Sequence, residues 1–126
     1  MKKIISTSEA PAAIGAYSQG IVENGFVFTS GQIGINPKTG ELVEGSFKRE
    51  ADQVLRNLFS VLKSGGCMPK QILKLTVFLT DLSHVSELNE LLIEYFKSDL
   101  PARSTVEVCA LPKKANIEIE AVGVIS

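Results

Sequence analysis

One arginine and two nearby carboxylates are the residues of this chain best suited to chemistry. Arg103 lies in segment 101–108, and Glu118 and Glu120 lie in segment 117–121. The guanidinium group is permanently charged, and its planar fork of donors matches a carboxylate in two parallel hydrogen bonds. Glu118 and Glu120 are two residues apart, so in a strand both emerge on one face, and their repulsion raises the proton affinity of the less solvated one. The three side chains could therefore bind a small acid and activate a water beside it.

Strand alternation predicts where these charges point. Thr105 and Glu107 fall on the same side of their segment as Arg103, whereas Val106 and Val108 fall on the other. Because the second segment alternates in the same way, we expect all the charges to share one side of a sheet, and hence one site. Spacing alone leaves two structural alternatives open: a cross-strand ion pair between the arginine and a glutamate, and a merely exposed polar strand face.

Further candidate residues lie at the ends of predicted elements. Tyr17, Ser30 and Gly31 lie at the outer ends of two hairpin strands, where hydroxyls and a backbone without a side chain could meet a ligand. A bulge or turn is the more common reason for a glycine such as Gly31. Asn89, near the start of the second predicted helix, is on spacing alone more typical of a solvated helix residue or a capping partner.

Composition narrows the classes of function. A chain of 126 residues, 44% of them hydrophobic, predicts one domain over residues 1–126. A net charge of -1 without a basic cluster argues against a nucleic acid or an anionic membrane as partner. We see neither an export signal nor a long apolar run, which predicts a cytoplasmic protein.

The cysteine and histidine counts exclude other chemistry. Cys67 and Cys109 are too few for a disulfide framework, and we expect both to be free thiols, which are usually buried in such proteins. His84 is the single histidine, and no CxxC or HExxH spacing exists, so metal ligation is not expected. No Ser/His/Asp arrangement is present either, which disfavours covalent catalysis.

Local patterns predict the element order β-β-β-α-β-α-β-β and an α+β fold. Asn24 and Gly25 favour a type I′ hairpin turn. Ser46 is the expected N-cap of the first helix, which should stop at glycines 65–66, and Ser86 is the expected cap of the second. Beyond the two segments above, the predicted strands are 3–6, 18–22, 26–30 and 72–80.

One face of the predicted sheet lacks a cover. In strand 72–80 we place Leu73 with the residues at 75, 77 and 79 on the helix-covered face. Two helices cover one side only, so Phe78, Val122 and Val124 would remain on the opposite face. Small domains commonly bury such a face against copies of themselves, which predicts a homo-oligomer with a site between subunits.

Three motifs together resemble the RidA/YjgF family, the reactive-intermediate imine deaminases. They are AIGAYSQG at 13–20, FTSGQIGINPKTGEL at 28–42 and PARSTVEVCALPKKANIEIEA at 101–121, and the similarity spans nearly the whole chain. The resemblance implies a chorismate-mutase-like α+β fold, with two helices on one face of the sheet. It also implies a homotrimer whose three sites lie in the clefts between subunits.

The resemblance further implies an activity and a set of roles. The activity is hydrolysis of 2-imino acids, such as 2-iminopropanoate and 2-iminobutanoate, to 2-oxo acids and ammonia without metal or organic cofactor. By similarity, Arg103 would grip the substrate carboxylate and Glu118 would position the attacking water. The other pocket positions that match the family are Tyr17, Ser30, Gly31 (through its backbone) and Asn89.

By the same resemblance Thr105 belongs with Arg103 and Glu118 to the candidate catalytic residues, but it departs from the family, because many members carry a cysteine at that position. Thiol chemistry is therefore excluded there, and Thr105 can substitute if the mechanism uses mainly the main chain. A non-catalytic sensor of small 2-oxo acids, or a regulatory partner protein, is the rival interpretation, since the same arginine clamp would bind such an acid without reaction. RNA cleavage is a third interpretation, and the net charge disfavours it.

Overall fold

The computed structural model describes residues 1–125 and contains the predicted elements in the predicted order. Residues 1–125 form six strands, two α-helices and three short 3₁₀ helices. The strands are β1 Lys3–Ile5, β2 Gly20–Glu23, β3 Phe26–Thr29, β4 Ile72–Leu79, β5 Ala102–Glu107 and β6 Ile117–Val124. The helices are α1 Phe47–Ser64 and α2 Val85–Phe96, and the 3₁₀ helices are Pro69–Gln71, Leu82–His84 and Pro112–Lys114.

The strands form one mixed sheet in the order β1-β2-β3-β6-β4-β5. All neighbours are antiparallel except β4 and β5, which are parallel and connected through α2. The β2–β3 hairpin turns at Asn24 and Gly25, whose φ angles of 52° and 77° are those that a type I′ turn requires. This order makes β5 an edge strand and places β4 between β5 and β6.

Both helices pack on the same face of the sheet. The hydroxyl of Ser46 accepts a hydrogen bond from the backbone N–H of Arg49, which confirms the predicted cap of α1. α1 ends where Gly65 donates its N–H to the carbonyl of Leu62. The buried apolar side chains of the two helices meet the buried side of the sheet, which includes Val27, Leu75, Val77, Ile117 and Ile119.

Two predicted details are wrong for identifiable reasons. Ser86 does not cap α2, because the helix already starts at Val85 and continues directly from the 3₁₀ helix Leu82–His84. Asp81 caps that 3₁₀ helix by accepting the N–H of Ser83. Leu73 does not share the helix-covered face, because an irregularity in the β4–β6 register at this point leaves it 46% exposed.

The opposite face of the sheet is rich in apolar side chains. Phe28 pairs with Val122 and Phe26 with Val124, which confirms the predicted side for both valines. Phe26 and Phe28 are 41% and 46% exposed. We call this side, with Phe78, Val106, Glu118 and Glu120 on its β4–β5–β6 half, the open face.

The structure also bears on the cysteines and on membrane-spanning helices. Cys67 and Cys109 are both free thiols, but only Cys67 is buried. Within residues 1–125, neither helix combines the length and the apolar content that a membrane crossing requires.

Candidate functional site

Arg103 and Glu118 lie on opposite faces of the sheet. In the β4–β5 pair Arg103 stands beside Leu75, which is buried under the helices. In the β4–β6 pair Glu118 stands beside Phe78, three residues further along β4 and therefore on the open face. The expectation that all the charges share one side is wrong, because alternation predicts the sides within each strand but not the phase between strands.

The two groups are also separated along the sheet. Two strand spacings and an offset of three residues place the Cα atoms of Arg103 and Glu118 about 14 Å apart. Since their side chains point in opposite directions as well, one small acid cannot touch both within a single chain. The chain instead carries two incomplete half-sites.

The cationic half-site is the Arg103 side, between β5 and α2. Arg103 Nη1 donates a hydrogen bond of 2.8 Å to Asn89 Oδ1, which unites two of the predicted residues. Within residues 1–125, no carboxylate lies within 4.0 Å of the guanidinium group, so the ion-pair alternative is not observed. Beside Arg103 lies a cavity of about 420 Å³ with mostly apolar walls that include Leu75, Leu92, Ile93 and Phe96.

Thr105 follows Arg103 on the same side of β5, where it stands beside Val77. Its hydroxyl is buried, and it has no hydrogen-bond partner in the described part of the chain. A buried hydroxyl without a partner is unusual in a finished structure. The hydrogen-bonding capacity of its Oγ1 atom is therefore unused in the described part of the chain.

The acidic half-site is a cavity of about 270 Å³ on the Glu118 side, lined also by Tyr17, Gly31 and Lys113. Partial burial, and secondarily the neighbouring charge of Glu120, raise the pKa of Glu118 above its ordinary value. A carboxylate with a raised pKa takes a proton from water more readily, which suits a general base.

Position 31 requires a glycine because the Glu118 carboxylate lies directly against the backbone there. A Cβ atom at position 31 would lie 2.9 Å from Glu118 Cγ and 2.7 Å from Glu118 Cδ, well inside van der Waals contact. The absence of a side chain therefore sets where the carboxylate rests. Glycine at this position serves close approach and not a special backbone angle.

Tyr17 and Ser30 hold the loops around this cavity. The Tyr17 hydroxyl accepts the N–H of Ile14 at 3.3 Å, and half of the Tyr17 side chain is exposed. The Ser30 hydroxyl donates to the carbonyl of Ser18 at 2.6 Å, which connects the ends of the hairpin strands. In the single chain, Tyr17 lines the cavity and Ser30 supports its rim.

Sequence reasoning missed Gln19 and Lys113. The buried amide of Gln19 accepts the N–H of Thr7 at 2.7 Å and donates to the carbonyl of Pro11 at 2.8 Å, which fixes one wall of the acidic half-site. A glutamine between a serine and a glycine gave no signal of burial. Lys113 lines the same cavity from a left-handed backbone conformation, which no local pattern predicts.

The two half-sites have complementary chemistry. One offers a permanent cation with an amide beside it, and the other offers a carboxylate that is ready to accept a proton. No group of three or more His, Cys, Asp or Glu side chains within residues 1–125 is arranged to hold a metal ion. The arrangement suits an anionic ligand that is acted on by water.

Comparisons with known proteins find relatives over nearly the whole chain. A family model described as Endoribonuclease L-PSP matches residues 7–125. A protein of Rattus norvegicus named 2-iminobutanoate/2-iminopropanoate deaminase is 48% identical over 124 residues, which cover 98% of this chain and 90% of that protein.

Solved structures match over nearly the whole chain. YyfA of Yersinia pestis, from the conserved Rid family, has a TM-score of 0.96 and 47% identity, with 99% of this chain and all of that chain covered. E. coli TdcF with bound serine has a TM-score of 0.90 and 39% identity, with coverage of 98% and 99%. Both are similar to this chain in fold as well as in sequence.

Proposed function

The chain belongs to the Endoribonuclease L-PSP (RidA/YjgF) family, and we propose that it hydrolyses reactive 2-imino acids to 2-oxo acids and ammonia. The substrates would be 2-iminopropanoate and 2-iminobutanoate, formed from enamines in the cytoplasm. The identity to a deaminase of that name supports this proposal. So do the two kinds of group present, an arginine suited to bind a carboxylate and a glutamate whose raised pKa suits it to accept a proton from water.

We further propose that the active site forms between subunits of a homotrimer with a chorismate-mutase-like arrangement. Arg103 and Asn89 of one subunit would meet Tyr17, Gly31 and Glu118 of the next. The observation that carries this proposal is the placement of the two half-sites on opposite faces of one sheet. The exposed apolar side chains of the open face supply surface for such an assembly.

The reaction needs few groups. The Arg103 fork binds the substrate carboxylate, and its bond to Asn89 keeps the fork oriented. Glu118 accepts a proton from a water whose oxygen bonds to the imine carbon, and the C=N electron pair moves onto nitrogen. Glu118 returns that proton to the nitrogen, which gives a carbinolamine, and then takes the proton of the carbinolamine hydroxyl. As the C=O bond of the 2-oxo acid forms, the C–N bond breaks and the amino group leaves with that proton as ammonia. Because an iminium carbon is already electrophilic, orientation and charge placement supply most of the rate.

Turnover of an unstable imine tests the activity. A threonine dehydratase generates 2-iminobutanoate in situ, and 2-oxobutanoate formation is followed with wild type, Arg103→Ala and Glu118→Ala. We expect both variants to lose the acceleration, with Arg103→Ala losing about 2 to 5 kcal/mol of binding free energy. Equal rates in all three proteins would reject the proposal.

Mixed assembly tests whether the site lies between subunits. Arg103→Ala and Glu118→Ala chains, unfolded together and refolded, would form some interfaces that keep both intact groups. Random mixing at equal amounts should restore about a quarter of wild-type activity, because each site takes one group from each of two chains. If mixing restores nothing while both variants assemble normally, the site does not lie between subunits.

A non-catalytic sensor of small 2-oxo acids, or a regulatory partner protein, is the second candidate function. The cationic half-site favours it, because Arg103, Asn89 and an adjacent apolar cavity can bind a small acid without Glu118. A sensor would bind 2-oxobutanoate in a calorimeter, would lose that binding in Arg103→Ala, and would show no turnover as wild type. The family description also names RNA cleavage. The net charge of -1 disfavours that activity, because binding to the phosphates of RNA requires an excess of basic residues.

A further inference from the structure

Helix α1 buries two polar side chains that the proposed chemistry does not use. Glu50 is 3% exposed and Asn57 is fully buried, and both lie among apolar residues that face the sheet. They are seven residues apart and therefore lie on the same side of the helix. Buried polar groups are costly unless they are bonded, so their partners indicate what they are for.

Glu50 binds Asn116, the residue directly before β6. The two carboxyl oxygens of Glu50 accept the backbone N–H and the side-chain N–H of Asn116, each at 2.7 Å. The carbonyl of Asn116 accepts the N–H of Thr80 at 3.1 Å. Asn116 is therefore held at three atoms, two residues before Glu118.

The segment that Glu50 anchors is strained. Lys113 and Lys114 have φ angles of 55° and 57°, the left-handed conformation that non-glycine residues rarely adopt. Such a conformation persists only where the surroundings hold it. Lys113 also lines the cavity of Glu118, so the strained turn forms one wall of the acidic half-site.

Asn57 holds the opposite wall. Its amide donates to the carbonyls of Ile33 and Ile35 at 3.1 and 2.8 Å, and its own oxygen accepts the amide of Gln53. Ile33 and Ile35 belong to the loop that follows Gly31, and both line the cavity. Gly34 of this loop lies so close to α1 that a Cβ atom there would stand 2.8 Å from the carbonyl oxygen of Glu50.

We propose that Glu50 and Asn57 are positioning residues that hold the two walls of the acidic half-site on either side of the backbone pairing of Gln32 with Ile119, and so fix the Glu118 carboxylate against Gly31. One helix thereby bonds to both walls of the half-site, and neither residue touches the substrate. This inference rests on the proposed function for its activity readout. Its structural content, a clamp that holds residues 112–118, is independent of that function.

The Glu50–Asn116 contact permits a test by exchange of donors and acceptors. Asn116→Asp places a second carboxyl group against Glu50 and removes the side-chain donor. Adding Glu50→Gln restores the bonds, because the new amide donates to the new carboxylate and its carbonyl oxygen accepts the N–H of residue 116. The double variant also removes the added charge.

We expect Asn116→Asp to lower kcat at least about tenfold with KM changed less than about twofold, because the carboxylate is displaced and the substrate anchor is not. Amide hydrogen exchange over residues 112–118 should become faster in the same variant. Both properties should return towards wild type in Glu50→Gln/Asn116→Asp. As matched control, Tyr95→Phe removes a half-buried hydrogen bond from α2 to Asp52 of α1, and it should lower stability without changing kcat.

Unchanged exchange over residues 112–118 in Asn116→Asp would overturn the clamp, as would a double variant that stays as impaired as the single one. A fall in kcat for Tyr95→Phe of the same size would also overturn it, because general destabilisation would then explain the effect. If wild type shows no deaminase activity, the proposed function fails by itself. The exchange measurement still decides the clamp in that case.

Discussion

A methyl group added at Gly31 acts directly on the placement of the Glu118 carboxylate. The new Cβ atom would lie 2.7 Å from Glu118 Cδ, and an ordinary contact begins at 3.4 Å, so the carboxylate must retreat by about 0.7 Å. A misplacement of about 1 Å can cost a hundredfold in rate. We therefore expect Gly31→Ala to lower kcat/KM for 2-iminobutanoate by roughly one to two orders of magnitude.

Stability should change little in Gly31→Ala. The group that must move is the end of a partly exposed side chain, so we expect the free energy of unfolding in urea to change by less than about 1 kcal/mol. Gly25→Ala is the matched control, since its Cβ atom would meet nothing within 4 Å but its φ of 77° disfavours alanine. That variant should lose about 1 kcal/mol of stability and keep its activity.

The dehydratase-coupled assay measures kcat/KM, and urea unfolding measures the stability, of both glycine variants. Wild-type kcat/KM in Gly31→Ala would refute the reasoning, because Glu118 would then not act from the position against Gly31. Equal losses of activity in both variants would refute it as well, because the effect would then follow stability and not geometry.

Three further predictions concern buried and half-buried polar groups. Because burial raises the pKa of Glu118, its ionisation opposes folding. In thermal scans Glu118→Gln should therefore melt at a higher temperature than wild type at neutral pH, and the difference should vanish below about pH 4. A higher melting temperature of wild type at neutral pH would contradict this. Asn57→Ala removes the side-chain donor from the carbonyl of Ile35 and leaves the carbonyl of Ile33 with only the N–H of Ile35, so urea unfolding should show a loss of about 2 kcal/mol. A loss below about 1 kcal/mol would contradict the clamp. Thr105→Val removes a buried hydroxyl that has no partner in the described chain and should gain about 1 kcal/mol in the same assay; a loss would mean that the hydroxyl is bonded in solution.

The element order could be predicted because it depends on local patterns. The hairpin at Asn24 and Gly25 and the cap at Ser46 each involve neighbours in sequence, and both are confirmed. The bulge at Leu73 could not be predicted, because it depends on the register with β6, some fifty residues later in the chain.

The candidate site was harder to predict for the same reason. The alternation around Arg103 and around Glu118 was correct within each strand, but the strand between them decides which faces they share. Glu50 and Asn57 gave no signal, because a polar residue within an apolar helix pattern is read as surface until its distant partner is known. Asn116, the partner of Glu50, is 66 residues away.

In the assembly proposed above, the exposed phenylalanines of the open face would make catalysis depend on the concentration of the protein. In the proposed trimer Phe26 and Phe28 would gain burial only when other copies bind, so folding and assembly of the chain would be linked by mass action. Because each proposed catalytic centre is divided between neighbouring subunits, dilution would separate its two halves before it unfolds the chains. Turnover per chain would then rise steeply with expression level, so the rate at which the proposed 2-imino acid substrate is removed would increase more than in proportion to gene dosage.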